Sequence, residues 1–200
     1  MTRNTDASDD VQTWAGGPLN YKEGFFTQLQ TDELAKGINE EVVRAISARR
    51  NEPEWMLEFR LKSLDIYNQT ALPLWGPSLE ELHMDEIITY VKPDAKMTGN
   101  WQEVPEDIKD TFDRLGIPEA EKESLAGVGA QYDSEVVYHS VKQELVEQGV
   151  IYTDMESALR EHEAIVKEYF MKLVPPKDHK FVALHGAVWS GGSFVYVPEG

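Results

Sequence analysis

Few residues in this sequence stand at spacings that do chemistry, and each has a plainer use beside the sharp one. Glu80 and His83 form E-x-x-H, the i, i+3 spacing from which di-iron carboxylate bundles draw two ligands. Such a centre needs a second copy of the motif and further inward glutamates. A single copy beside a proline-rich stretch reads as a surface pair. Glu135 with His139, and Glu161 next to His162, set a carboxylate beside an imidazole, a pairing that general bases use. In an acidic chain such neighbours are expected to be exposed ion pairs. His185 lies in an apolar run, so it is either a buried, hydrogen-bonded histidine or one part of a site that other segments complete. GVGA at residues 127–130 begins like a dinucleotide fingerprint but lacks the third glycine, and a flexible helix exit explains it as well. There is no G-x-S-x-G elbow and no Gly-Lys-Ser/Thr phosphate loop. With no cysteine in the chain, disulfides, thiol nucleophiles and thiolate metal sites are excluded.

The chain of 200 residues carries 36 acids against 19 Lys and Arg, a formal net charge of -17. That field repels phosphate backbones and anionic lipid, so neither nucleic acid nor a membrane surface is an expected partner. No stretch approaches the ~20 apolar residues of a membrane span. The opening MTRNTDASDDVQTW lacks the apolar core of a signal peptide, so a cytoplasmic protein is expected. At 41% hydrophobic residues, the chain has enough apolar side chains for a core.

The elements that would position any site are mostly helical. Residues 1–21, with their Gly-Gly-Pro break, read as a mobile arm. Asn39 is placed to cap a helix running to about Arg50, with Glu40 and Glu41 at its start, Arg49 and Arg50 at its end, and Val42, Val43 and Ile46 as its stripe. NEPEWMLEFRLKSLDIYNQ follows, with Pro53 suited to the first turn. Its apolar residues cover so wide an arc that the helix is expected to pack on more than one side. Pro73, Gly76 and Pro77 forbid a long element across residues 71–103. A loose connection is expected there, tacked down by Trp75 and Trp101, with IITYVKP a short strand or extended segment. VPEDIKDTFDRLGIP is helix-like, with Ile108, Phe112 and Leu115 on one face. DSEVVYHSVKQELVEQG is expected to be a helix capped by Asp133 or Ser134, with Val137, Val141 and Leu145 as its stripe. VIYT then reads as a short strand. ESALREHEAIVKEYFMKLVPP reads as one or two helices, with Ile165, Tyr169 and Phe170 turned inward. In FVALHGAVWSGGSFVYVP two strands are expected around the Gly-Gly turn.

Six blocks taken together resemble a known family. They are NYKEGFFTQL, NEPEWMLEFRL, VPEDIKDTFDRLGIPEAE, AGVGAQYDSEVVYHS, SALREHEAIVKEYF and AVWSGGSFVYVP. In order and spacing they are similar to the amino-terminal part of the SufB family, scaffolds of iron–sulfur cluster assembly in the SUF system. The resemblance implies an α+β chain: a helical amino-terminal domain over 22–176, then at 177–200 the first strands of a right-handed parallel β-helix, cut off at the carboxy-terminus. A lone apolar hairpin with open edges is what a truncated β-helix would leave. Members hold a transient iron–sulfur cluster with a SufC-type ATPase and a SufD-type subunit, and pass it to carriers and apoproteins. Their cluster ligands and SufC contact lie beyond the region matched here, so the resemblance assigns no catalytic, cofactor or metal residue to this chain. Some members carry a cysteine cluster near residues 85–100, where this chain has IITYVKPDAKMTGN.

Three functions compete. A scaffold component without enzymatic activity of its own predicts exposed apolar surface at Phe194 and Tyr196. A stand-alone acidic helical protein-binding module predicts that this end folds back and is covered. A small metalloenzyme built on Glu80 and His83 predicts that they converge with further carboxylates.

Overall fold

Asn39 has an extended backbone, and its Oδ1 accepts from Val42 N at 2.9 Å. That bond satisfies one of the amide donors a helix start leaves open. In the computed structural model this helix, α1, runs Glu40–Arg49. The structure describes residues 31–93, 100–106, 108–110, 127–132 and 135–199. Expectations for the mobile arm at 1–21, and for residues 111–126 with Phe112 and Leu115, lie outside them. A turn through Asn51 leads to α2, Glu54–Gln69, with Pro53 as its N-cap residue.

The residues that α2 buries fall on one face and feed two clusters in succession along it. Leu64 and Tyr67 pack with Val43 of α1 and with Ala183 and Ala187. Nearer the start of the helix Met56 packs with Ala158, Leu159, Val166 and Trp189, flanked by Trp55, Phe59 and Phe170. Each large side chain so buried contributes about 1.5–3 kcal/mol, and one helix supplying both clusters makes α2 the axis of the fold.

The described residues include three antiparallel strand pairs. β1 (Thr31–Glu33) pairs with β2 (Val91–Pro93), Asp32 opposite Lys92. β3 (Gly127–Tyr132) pairs with β4 (Glu135–Val141), with a register shift between Ala130 and Gln131. After a short α3 (Gln143–Glu147), β5 (Ile151–Asp154) pairs with β6 (Ser193–Tyr196), Asp154 opposite Ser193. Helices α4 (Met155–Glu161) and α5 (Glu163–Tyr169) follow β5, and α6 (Lys180–Val188) packs along α2.

Several expectations are corrected. Residues 135–141 form a strand rather than a helix, and GVGA lies in its strand partner rather than at a helix exit. Lys180–Val188 is a helix, with His179 Nδ1 accepting from Phe181 N at 3.0 Å. The expected hairpin around the Gly-Gly turn is therefore a helix-to-strand turn. Gly192, at φ +111, takes a left-handed conformation there, and a Cβ on it would lie 3.2 Å from Met155 Cγ. β6 pairs antiparallel with β5, and no parallel rung occurs among the described residues. The chain is α+β, as expected; the parallel β-helix is not part of the described structure. Trp75 is 70% exposed and meets the ring of His179 edge-on. Trp101 is half-buried, and the connection at 71–93 is anchored further by Tyr90, which is buried with Val42 and Ile46 and accepts at its carbonyl from Leu34 N. Tyr169, expected inside, is 65% exposed.

Candidate functional site

A helix with apolar residues on most of its circumference has no obvious place for a charge, yet Arg60 stands mid-way along α2 at 0% exposure. A buried guanidinium is tolerated only if its donors are matched. Its Nε and Nη2 donate to the two carboxylate oxygens of Glu52 at 2.7 and 2.5 Å. Nη1 donates to Ala187 O at 3.1 Å and Nη2 to Trp189 O at 3.0 Å. These carbonyls belong to the end of α6 and the residue just past it, so the cation also caps that helix. The guanidinium lies 4.7 Å from the centre of the Trp189 ring.

A second arginine extends the group. Arg50, the C-cap residue of α1, stands 3.8 Å from Glu52, forms an ion pair with Glu156 of α4 and faces the rings of Tyr90 and Trp189. Asp154 completes the neighbourhood as N-cap of α4, its Oδ1 accepting from Glu156 N and Ser157 N at 2.9 Å. Two cations and two carboxylates thus join the α1–α2 turn, α2, α4 and the segment leaving α6. The donors of Arg60 are spent on one carboxylate and two carbonyls, which suits holding four segments in register, while Asp154 Oδ2 and Trp189 Nε1 are buried beside it without a hydrogen-bond partner. The sequence held one signal of it: Met56, Arg60, Ser63, Leu64 and Tyr67, the buried residues of α2, fall at helical spacing, and Arg60 interrupts that stripe.

The residues singled out for chemistry are scattered. Glu80 and His83 are exposed around a turn ahead of a short 3-10 segment, and no group of three His, Asp or Glu able to hold a metal occurs among the described residues. Glu135 and His139 lie on β4, opposite Tyr132 and Gly129. Glu161 is exposed, whereas His162 stacks on Phe194 with ring centres 5.8 Å apart. His185, on α6, has an exposed rim; partial burial of the ring, and then the Arg60 cation, hold its pKa below the ordinary histidine value.

What the surface does offer is two adjoining apolar grooves. One, of about 410 Å³, lies between α5 and β6 and is lined by Ile165, Tyr169, Phe170, Phe194 and Tyr196 among others. The other, of about 510 Å³, lies between the 171–174 turn and α6, against Leu173, Val174, His179, Phe181 and His185. Tyr169 lines both. The end of the chain therefore divides between the two outcomes expected of it. Phe194 packs onto the Met56–Trp189 cluster, while Val195, Tyr196 and Val197 stay exposed.

Comparison with known proteins adds what this geometry leaves open. Residues 40–200 match the family described as SufBD protein, N-terminal region. An iron–sulfur cluster assembly SufBD family protein of Staphylococcus aureus (strain USA300) is 54% identical over 181 residues, 90% of this chain and 39% of that protein. One from Staphylococcus haemolyticus (strain JCSC1435) matches to the same extent. The chain thus spans about two-fifths of the length of the curated relatives it matches.

Proposed function

The chain belongs to the SufBD family of iron–sulfur cluster assembly proteins, and on that premise we propose that it works as the amino-terminal region of a SUF cluster-assembly scaffold. The observation that carries this reading is the 54% identity sustained over 90% of the chain. The role proposed is SufB-like rather than free-standing, in a complex with a SufC-type ATPase and a SufD-type subunit, in the cytoplasm.

In that role the region is a structural and partner-binding part, not an enzyme. The cluster is cargo. Iron–sulfur clusters are held mainly by thiolates, and this chain has no cysteine, so the cargo site falls to polypeptide that the longer relatives have beyond the match. Anaerobic reconstitution of residues 1–200 with iron and sulfide is expected to give no stable brown chromophore. The decisive experiment is depletion of the protein in its own cells, with iron–sulfur enzyme activities measured against enzymes that carry no cluster. A selective fall in the former supports the scaffold reading, and unchanged activities reject it. An amphipathic surface such as the paired grooves also suits a stand-alone binding module; under that alternative the cluster enzymes keep their activity and the natural product has a mass of 22.7 kDa.

A further inference from the structure

A polar atom buried without a protein partner calls for a small ligand that can bond it. Two such atoms of opposite kind stand in this core. Asp154 and Trp189 are each 5% exposed. Asp154 Oδ1 is spent on the amides of Glu156 and Ser157, but Oδ2 has no hydrogen-bond partner, and neither has Trp189 Nε1. A carboxylate only accepts and an indole N–H only donates. Both residues belong to one junction of the fold. Asp154 stands opposite Ser193, and Met155 N donates to Gly192 O at 3.1 Å, so the strand end that carries Asp154 is bonded to the turn just beyond Trp189. Trp189 shares a core cluster with Ala158 and Leu159 of α4 and with the flanking Met155. Arg50 links the two across the interior: it pairs with Glu156, and its guanidinium carbon lies 5.6 Å from the centre of the Trp189 ring.

We propose that Asp154 Oδ2 and Trp189 Nε1 together hold one internal water, which ties the β5–α4 junction to the segment between α6 and β6. The chemistry of the two atoms selects this ligand. Whatever joins them must accept from the indole and donate to the carboxylate. A metal ion accepts no hydrogen bond, and no group of three His, Asp or Glu able to hold one occurs among the described residues. An anion could accept from the indole, but it has no proton for Oδ2 and would face its charge. An apolar guest satisfies neither atom. Water does both at once, and a buried water makes about two to four such bonds. A bond through an ordered water is nearly as favourable as a direct one. One carboxylate then fixes two things, the start of α4 through Oδ1 and the turn before β6 through the water. The indole nitrogen gains a use that a phenyl ring at position 189 could not serve. The site holds independently of the scaffold reading.

The test uses the full-length protein with isotopically labelled tryptophan for NMR, and crystals that diffract well enough to place waters. The chain has five tryptophans, and W189F assigns the Trp189 indole signal by its loss. The expected result is a water within ~2.7–3.2 Å of both Asp154 Oδ2 and Trp189 Nε1. In solution the indole proton is expected to show a cross-peak to water of the sign that dipolar contact, not proton exchange, produces. Asp154→Ser keeps a capping oxygen but removes Oδ2. In that variant the cross-peak is expected to vanish and the indole proton to exchange with solvent at least ~tenfold faster. A direct bond between Oδ2 and Nε1, with no dipolar cross-peak to water, overturns the proposal. So does a water that touches only one of the two atoms, or density for a metal ion or an anion at the site. Should the serine variant fail to fold, the cross-peak and the density of the unaltered protein decide the question by themselves.

Discussion

Replacing Arg60 by methionine tests whether the buried ion group holds the fold. Methionine keeps much of the side chain's length, so the change removes charge and hydrogen bonds more than volume. It leaves Glu52, whose side chain is 1% exposed, with Arg50 at 3.8 Å as its remaining described cation. It also strips a donor from each of the Ala187 and Trp189 carbonyls. Removing one partner of a buried ion pair costs about 3–5 kcal/mol, because the other charge is left uncompensated. Bonds to a charged group are each worth about 1.5–3 kcal/mol but do not add, so ~3–5 kcal/mol is the expected loss. Against a total stability of roughly 5–15 kcal/mol, the variant stays folded in buffer but has a much lower urea midpoint by circular dichroism. E52M is expected to cost a similar amount alone and much less in the R60M background, with a coupling of at least ~1.5 kcal/mol. R60K retains the charge without the fork and should fall between, which keeps the test readable should R60M fail to fold. The contrast is Arg44 with Glu40 on α1, equally close at 2.7 Å but with side chains 53% and 64% exposed. R44A there is expected to cost under ~0.5 kcal/mol. A loss below ~1 kcal/mol for R60M, or strict additivity with E52M, would refute the claim that burial rather than distance gives this pair its weight.

Other expectations concern single contacts. Asn39→Ala removes the α1 cap bond to Val42 N and should cost about 0.5–2 kcal/mol in urea unfolding, with Asn39→Asp close to wild type. Gly186→Ala would place a Cβ 2.6 Å from Ser63 Oγ and 3.0 Å from its Cβ. The ~0.5–1 kcal/mol that alanine gains in a helix is outweighed by ~1–3 kcal/mol of overpacking, so Tm falls, and a second change, Ser63→Gly, should recover part of it. His185 titrates below the ordinary histidine value of ~6.5 because burial and then Arg60 disfavour its cation. The unfolded chain therefore binds this proton more readily, and the stability His185 confers is full above ~6.5 and lost as pH falls through its lower folded value. An NMR titration midpoint below ~6.5, and a shallower acid-side loss of stability in His185→Gln, are expected; a midpoint above ~6.5 would contradict the packing described.

Helices α1 and α2 were legible because their signals are local. Asn39, the acidic first turn and the apolar stripe all lie within one short stretch. The short strand at 151–154 and the helices on either side of His162 were legible for the same reason. β4 was misread because a spacing of four residues, as between Val137 and Val141, lies on one face of a strand as well as of a helix. The decisive evidence, pairing with residues 127–132, is not local. The β-branched and aromatic run EVVYHSV carried the strand preference, but the neighbouring KQELVEQG pulled the assignment towards a helix. α6 failed in the opposite sense. A short apolar run fits either element, and its interior glycine argues against a helix until Ser63 is seen pressed against Gly186.

The sequence by itself determined which family this chain belongs to, its acidic surface, its lack of thiolate chemistry and the helices whose caps and stripes are complete within a few residues. Those properties depend on composition, order and near neighbours, and all of these are written along the chain. Tertiary structure alone decided that Arg60 meets Glu52 and the end of α6, 127 and 129 residues away at Ala187 and Trp189. It alone decided that Tyr169 faces outward and that two grooves meet at that residue. Burial of a charge and exposure of an aromatic ring are fixed by which distant segments pack together, and no local pattern of residue types records that choice.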